Sequence, residues 1–459
     1  MRSPRLIVFF LLLISLSLLG FGCKGGDSGA QQAAAKPIKL NWWRAEGSRN
    51  DFAQLIADYQ TIHPNVSINY RALRPAELEQ SLLEALASGT GPDIVSLPNT
   101  YLRAWQERLA PLPPTITLPI MEKSGLIKKE TKAVLKTIPT LNLRALRDTF
   151  IDVVSEDAVI GGKIYGLPLA VDTLLLFYNR DLLNAADLPM PPATWTDFKE
   201  AAQKITRVDK QGKLLQNGAA LGEADNVPYA FDLVSSLMLQ NGTQMMNATG
   251  DAATFQQEVS SQGETFTPGA DALRFYTDFA NPSKETYAWS REEPSGWQAF
   301  ATGKVGFTFG YWRDLATLRR MSPQIKLGIA NFPQIDNASR PTYYASYYLE
   351  TVTKQSQNQE AAWDFIQFIT KPEQIGKYLV VAKKPTVHRK WVQTQLDDLD
   401  LGVPAKQILS ARSWYRGLKP KAAENAFLNM IRQVNNGGEI KEALTFAAGQ
   451  INQTLNSKQ

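Results

Sequence analysis

The sequence predicts an α/β fold built on more than one hydrophobic core, on three observations. Strand-like and helix-like apolar periodicities alternate from Ile38 to Leu97. The chain has 459 residues, and single cores stop growing beyond about 250–300 residues. Its one cysteine, Cys23, allows no disulfide within the chain, so packing alone must hold the fold.

The elements follow in order. Ile38, Leu40 and Trp42 alternate as in a strand. Phe52, Leu55, Ile56, Tyr59 and Ile62 recur at helical spacing, with Asn50 or Asp51 placed to cap and Pro64 to stop. Val66, Ile68 and Tyr70 alternate again; Leu78, Leu82 and Leu86 form a second helical stripe ending at Gly89. Asp93 to Leu97 reads as a third strand. This order implies right-handed crossovers and a parallel sheet. Ligands of such sheets sit beyond the carboxyl ends of the strands, here Trp43 to Arg49 and Pro98 to Tyr101. Further on, Leu174 to Phe177 is an apolar run short enough for a buried strand, and Pro191 to Trp195 opens a helix through Phe198 and Ala202. Tyr343 to Val352 alternates, Ala361 to Phe368 is helical, and Ile440, Leu444, Ala447, Ile451 and Leu455 make a terminal stripe.

Arg2 and Arg5 precede an apolar stretch from Leu6 to Leu19, and small residues then lead to Cys23. That is the layout of a secretory signal, and the stretch is short for a membrane span, which needs about 20 apolar residues. The segment resembles a lipobox, in which the cysteine becomes the acylated first residue of the mature chain. Lys24 to Lys36 holds Gly, Ser, Gln and Ala with no large apolar residue and reads as a flexible tether. Lys plus Arg is 49 against 44 acids, a formal +5, with no basic run that would track a nucleic acid.

Four blocks then carry a resemblance: Tyr59 to Val66; Leu83 to Val95, with Ala87-Ser88-Gly89-Thr90-Gly91-Pro92-Asp93; Gly162 to Pro168 through Tyr178-Asn179-Arg180-Asp181-Leu182 to Pro192-Ala193-Thr194-Trp195; and Ala299 to Gly306 with Gly310-Tyr311-Trp312. In this order they resemble the family 1 extracellular solute-binding proteins. The resemblance implies the two-lobed periplasmic-binding-protein type II fold, with a hinge and a central cleft. It implies an extracytoplasmic protein, anchored by lipid, that captures a sugar without cofactor or metal and presents it to an ABC permease, as a monomer. The implied layout is a signal at 1–22, acylated Cys23 and tether at 23–36, lobe 1 at 37–168 and 343–412, and lobe 2 at 169–342 and 413–459. Crossings between lobes would fall near Leu167–Asp172, Tyr343–Tyr347 and Arg412–Trp414. The stretch Pro111 to Val154 fits no block well, and Tyr343-Tyr344-Ala345-Ser346-Tyr347-Tyr348 stands where the family often has small glycine-rich sequence; both lie in regions that could reshape a cleft, and the role of 111–154 stays open.

A sugar presents ring C–H faces that pack on aromatic planes and hydroxyls that need polar partners. The cleft candidates are therefore Trp43 and Glu46 after the first strand, Asn99 after the third, Asp172 at the first crossing, Tyr311 and Trp312 after the strand Val305–Phe309, Tyr347 at the second crossing and Trp414 near the third. Alternation from Ile38 turns Trp42 inward and Trp43 outward. Trp289 is held in reserve, and Trp297 is expected against Phe300. Two other readings stay open. A peptide or polyamine could occupy the same fold, a polyamine demanding several cleft carboxylates. A glycoside hydrolase needs minimally two carboxylates across a cleft. Against catalysis stand the scarcity of histidine (His63 and His388 only) and the absence of nucleophile, phosphate-loop and metal-ligand motifs.

Overall fold

The computed structural model describes residues 29–124, 130–261, 263–338 and 340–455. The signal segment and Cys23 lie outside the described residues.

The predicted parallel sheet is present. Strand Ile38–Arg44 runs parallel to both Val66–Ala72 and Ile94–Pro98, with Ile38 opposite Val66 and Trp42 opposite Ile94. Strand Tyr348–Thr353 joins antiparallel to Ile94–Pro98 and pairs in turn with Leu109–Ala110 and Leu167–Pro168. Helices Ala53–Ile62 and Pro75–Ala87 are the crossovers. The cap of the first falls earlier than expected: a 3-10 turn, Arg49–Phe52, precedes the helix, and Ser48 and Asp51 cap it reciprocally. Inside the sheet, the buried Glu350 carboxylate accepts from Trp42 Nε1 at 2.7 Å and Ser96 Oγ at 2.6 Å, and pairs with Arg44. One carboxylate thus stitches three neighbouring strands.

A second sheet has the order Arg207–Val208, Leu214–Ala219, Val305–Gly310, Leu175–Asn179, Leu327–Asn331. Every residue of Val305–Gly310 is buried, as a central strand covered on both faces requires. Gly218 allows this sheet to meet helix Trp195–Ile205, because a Cβ there would lie 2.0 Å from the Ala202 carbonyl oxygen. Helices Pro420–Asn435 and Ile440–Leu455 pack into the same core.

Between the sheets lies a third, of three short strands: Asp172–Thr173, Tyr343–Ser346 and Ala411–Arg412. The buried side chains change core across it. Val171, Ala345 and Ala411 belong to the first core, whereas Leu174, Tyr344 and Trp414 belong to the second. The strand expected over Tyr343–Val352 is consequently two strands, Tyr343–Ser346 and Tyr348–Thr353, parted at Tyr347.

One expectation is corrected. Gly29–Ala35, expected to be unstructured tether, is helical, consistent with its alanines having the highest helix propensity. The stretch Pro111 to Val154 adds no lining, among its described residues, to the large cavity between the lobes. Its main feature is a long hairpin, Thr115–Ser124 with Glu130–Pro139, packed beside that short helix and helix Gln359–Ile369.

Candidate ligand-binding cleft

A cavity of about 510 Å³ opens between the two lobes. One wall is Asn99–Tyr101, just beyond the carboxyl end of the third strand, where the sheet topology places ligands. The opposite wall comes from the second lobe: the segment 224–232 and, on helix Pro420–Asn435, Glu424 and Leu428. Arg313, Tyr344, Ala345, Ser346 and Tyr415 line the remainder. Its volume lies within the range of small-molecule sites, roughly 300–1,000 Å³.

The polar equipment is specific. Asp232 accepts from the Tyr311 hydroxyl at 2.7 Å, and burial pushes its carboxyl up to about 7. Glu424 is raised from its ordinary value, also chiefly by burial. Asp225 is held by Arg432, with Nε to Oδ2 at 3.0 Å. Arg313 donates to the Ser346 carbonyl at 3.1 Å and to its hydroxyl at 3.0 Å, and lies 4.1 Å over the Tyr311 ring. It also faces Glu46 at 3.6 Å and Asp172 at 3.8 Å. Tyr229 holds the left-handed backbone conformation, φ 59°, and its hydroxyl donates to Asp314 at 3.0 Å.

Two carboxylates organise the crossing strands. Asp172 accepts from the backbone N–H groups of Trp312 at 2.9 Å and Arg313 at 3.0 Å, so it caps the short helix Trp312–Asp314 from the first crossing strand. Burial raises its carboxyl to about 6, opposed by Arg313 and Lys384. Asp157 accepts from Asn99 Nδ2 at 2.9 Å, the Tyr347 hydroxyl at 2.8 Å, Ser413 Oγ at 2.6 Å and Arg416 Nε at 3.0 Å. It therefore ties one cavity wall to the second and third crossings.

Of the eight candidates, Asn99 lines the large cavity. Glu46, Asp172 and Tyr347 line a narrow gap of about 20 Å³ behind Arg313. There Glu46 sits between Arg313 of one lobe and Lys384 of the other, the latter at 3.5 Å. The remaining four are placed elsewhere. Trp43 is 7% exposed: it shares its face of the sheet with exposed Lys39 and Asn69, and the Arg71 guanidinium of the neighbouring strand lies 4.5 Å over its ring. Tyr311 is fully buried and stands behind Asp232. Trp312 is 8% exposed, and its Nε1 donates to the Lys383 carbonyl across the lobes at 2.7 Å. Trp414 lies in the second core among Phe231, Phe255 and Phe427, its Nε1 bonded to Ser235 Oγ at 2.9 Å. Trp289 is buried and donates to Asn226, and Trp297 donates to the Phe309 carbonyl.

Asp232, Tyr344, Arg313, Tyr229 and Glu424 were not reached from the sequence. They come from four distant segments with no shared motif. The signal nearest to them was Tyr343-Tyr344-Ala345-Ser346, a tyrosine-rich run at a predicted crossing.

The chain matches the family model described as bacterial extracellular solute-binding protein over residues 46–375. It is 22% identical over 371 residues to the galactooligosaccharide-binding protein of Bacillus subtilis, covering 80% of this chain and 77% of that one. It is 24% identical over 254 residues to that organism's arabinooligosaccharide-binding protein, 52% of each chain. In three dimensions it resembles the cyclic alpha-maltosyl-1,6-maltose binding protein of Arthrobacter globiformis, with TM-score 0.70 and 20% identity over 91% of this chain and 99% of that one. A cyclo/maltodextrin-binding protein complexed with maltotetraose matches with TM-score 0.65 and 17% identity over 92% and 99%. With the two lobes and the cleft of a hinge-binding fold in place, the family match decides the assignment: the chain belongs to the bacterial extracellular solute-binding proteins.

Proposed function

We propose that this protein is the extracytoplasmic solute-binding component of an ABC importer, capturing a sugar or oligosaccharide between its lobes and presenting it to the permease. The observation that carries the reading is the cavity itself. Its walls come from both lobes, and it pairs aromatic planes (Tyr101, Tyr229, Phe231, Tyr344, Tyr415) with carboxylates and amides suited to hydroxyls. The oligosaccharide-binding relatives support sugar as the ligand class. Closure proceeds by rotation about the three-stranded crossing sheet, driven by ligand contacts that only the closed form makes to both walls. Acylation at Cys23 would hold the protein at the membrane, where the permease resides. In this reading, 37–168 with 343–412 and 169–342 with 413–459 move as the two lobes.

The test is a thermal-shift screen over mono-, di- and oligosaccharides, amino acids, peptides and polyamines. Stabilisation grows as the logarithm of ligand concentration over Kd. The proposal expects saccharides to raise Tm, and Asn99→Ala to reduce the shift. A screen in which only peptides or amino acids stabilise would overturn it.

A further inference from the structure

The cavity's charges are unequally satisfied. Arg313, the cation lining it, is spent on Ser346, Glu46 and Asp172, and Asp225 is neutralised by Arg432. Asp232 and Glu424 have no salt-bridge partner among the described residues. Arg313 and the opposing Glu424 act on Asp232 at longer range, and Lys421 acts on Glu424. An independent observation points to a missing partner. Tyr344 is 2% exposed, lines the cavity, and its hydroxyl has no hydrogen-bond partner among the described residues. A buried hydroxyl left unpaired is destabilising, and a group supplied from the cavity would relieve it.

Carboxylates without cations, beside phenol and phenyl faces, form a surroundings that favours a cation over an anion. We infer that the cleft is built for a saccharide carrying a primary ammonium group, which lies between the Asp232 and Glu424 carboxylates and the Tyr344 hydroxyl. The inference rests on the sugar-binding reading of the same cavity and narrows it. It disfavours acidic sugars, whose carboxylates would face Asp232 and Glu424, while the Arg313 charge is already paired with Glu46 and Asp172.

The experiment is calorimetric titration of the full chain with three probes: a glucosamine disaccharide, its N-acetylated counterpart, and a linear polyamine. N-acetylation removes the charge and keeps the sugar rings. The expected result is at least about tenfold tighter binding of the amine disaccharide than of the acetylated one, a difference of about 1.4 kcal/mol. Asp232→Asn, and separately the more exposed Glu424→Gln, should bring that ratio towards one, with melting curves checking that each variant folds. Equal or tighter binding of the acetylated form, an unchanged ratio in both variants, or binding of the polyamine alone overturns the inference. If neutral saccharides bind and Asn99→Ala weakens them without any preference for the amine, the inference fails and the cleft reading stands. If Asn99→Ala affects no saccharide, both fail.

Discussion

An orphaned phenol and a buried, neutral imidazole give the sharpest consequences at the scale of single residues. Tyr344→Phe removes a buried hydroxyl that has no partner among the described residues. The folded protein should lose nothing, its Tm unchanged or slightly higher, while affinity for the cleft ligand falls by about 0.5–1.5 kcal/mol, the net worth of one hydrogen bond. Melting curves and calorimetry on one preparation check both halves. His388 packs edge-on against Phe150 at 4.4 Å, and burial depresses its imidazole to about 4. Below its ordinary value of 6.5 the unfolded chain takes up a proton that the folded chain refuses. Stability should therefore decline as pH falls from about 6.5 towards 4. A pH series of denaturant midpoints should show this slope, with His388→Leu flattening the part due to the histidine. Asp232 has the opposite sign. Its raised carboxyl holds a proton that the unfolded chain releases, so its contribution is lost as pH rises from about 4 to 7.

At the scale of elements, the strands and crossover helices were legible because their signal is local. Ile38, Leu40 and Trp42, or Leu78, Leu82 and Leu86, announce period and length within one window. What faced the cleft was not legible by the same means. The pleat says which residues share a face, and it does not say what covers each position: Trp43 shares its face with exposed Lys39 and is itself covered, with Arg71 over its ring. Indole N–H groups tell the same story: Trp42, Trp289, Trp312, Trp363 and Trp414 all donate to protein acceptors. Aromatic abundance near strand ends thus reported packing more than ligand contact. The cleft wall 224–232 and the tyrosines around 344 and 415 meet only through tertiary structure, and of the cavity walls only Asn99–Tyr101 was positioned by the rule that ligands lie beyond strand ends. The element most dependent on one side chain is the first sheet. Glu350→Ala would leave Arg44 buried and uncompensated while removing acceptors from Trp42 and Ser96. Unfolding in denaturant should show a loss of about 3–5 kcal/mol, the cost of breaking a buried pair from one side. A loss below 1 kcal/mol would mean that water reaches the site.

At the scale of the whole molecule, two lobes meet at a thin sheet, whose first strand holds the backbone at Trp312 and Arg313 through Asp172, and at polar links from Trp312 to the Lys383 carbonyl and from Arg313 to Glu46. Most of these sit behind the cavity, on the far side of Arg313. They bias the balance of open and closed forms without touching a ligand held between Asn99 and Asp232. Glu46→Gln should consequently alter the compactness of the free protein, read as its radius of gyration in solution scattering, and shift affinity through that population alone. An unchanged radius together with unchanged affinity would show that this link carries no weight in the balance.

The central claim is that a saccharide is held by both lobes at once, in the cavity in front of Arg313. Hydrogen exchange with and without a saturating ligand from the screen tests it most directly. Protection should rise together at 99–101, 224–232 and 344–346, which lie on opposite walls and on the crossing strand between them. Protection confined to one lobe, or appearing instead in the apolar groove around Leu379, Trp391 and Leu401, would contradict the claim.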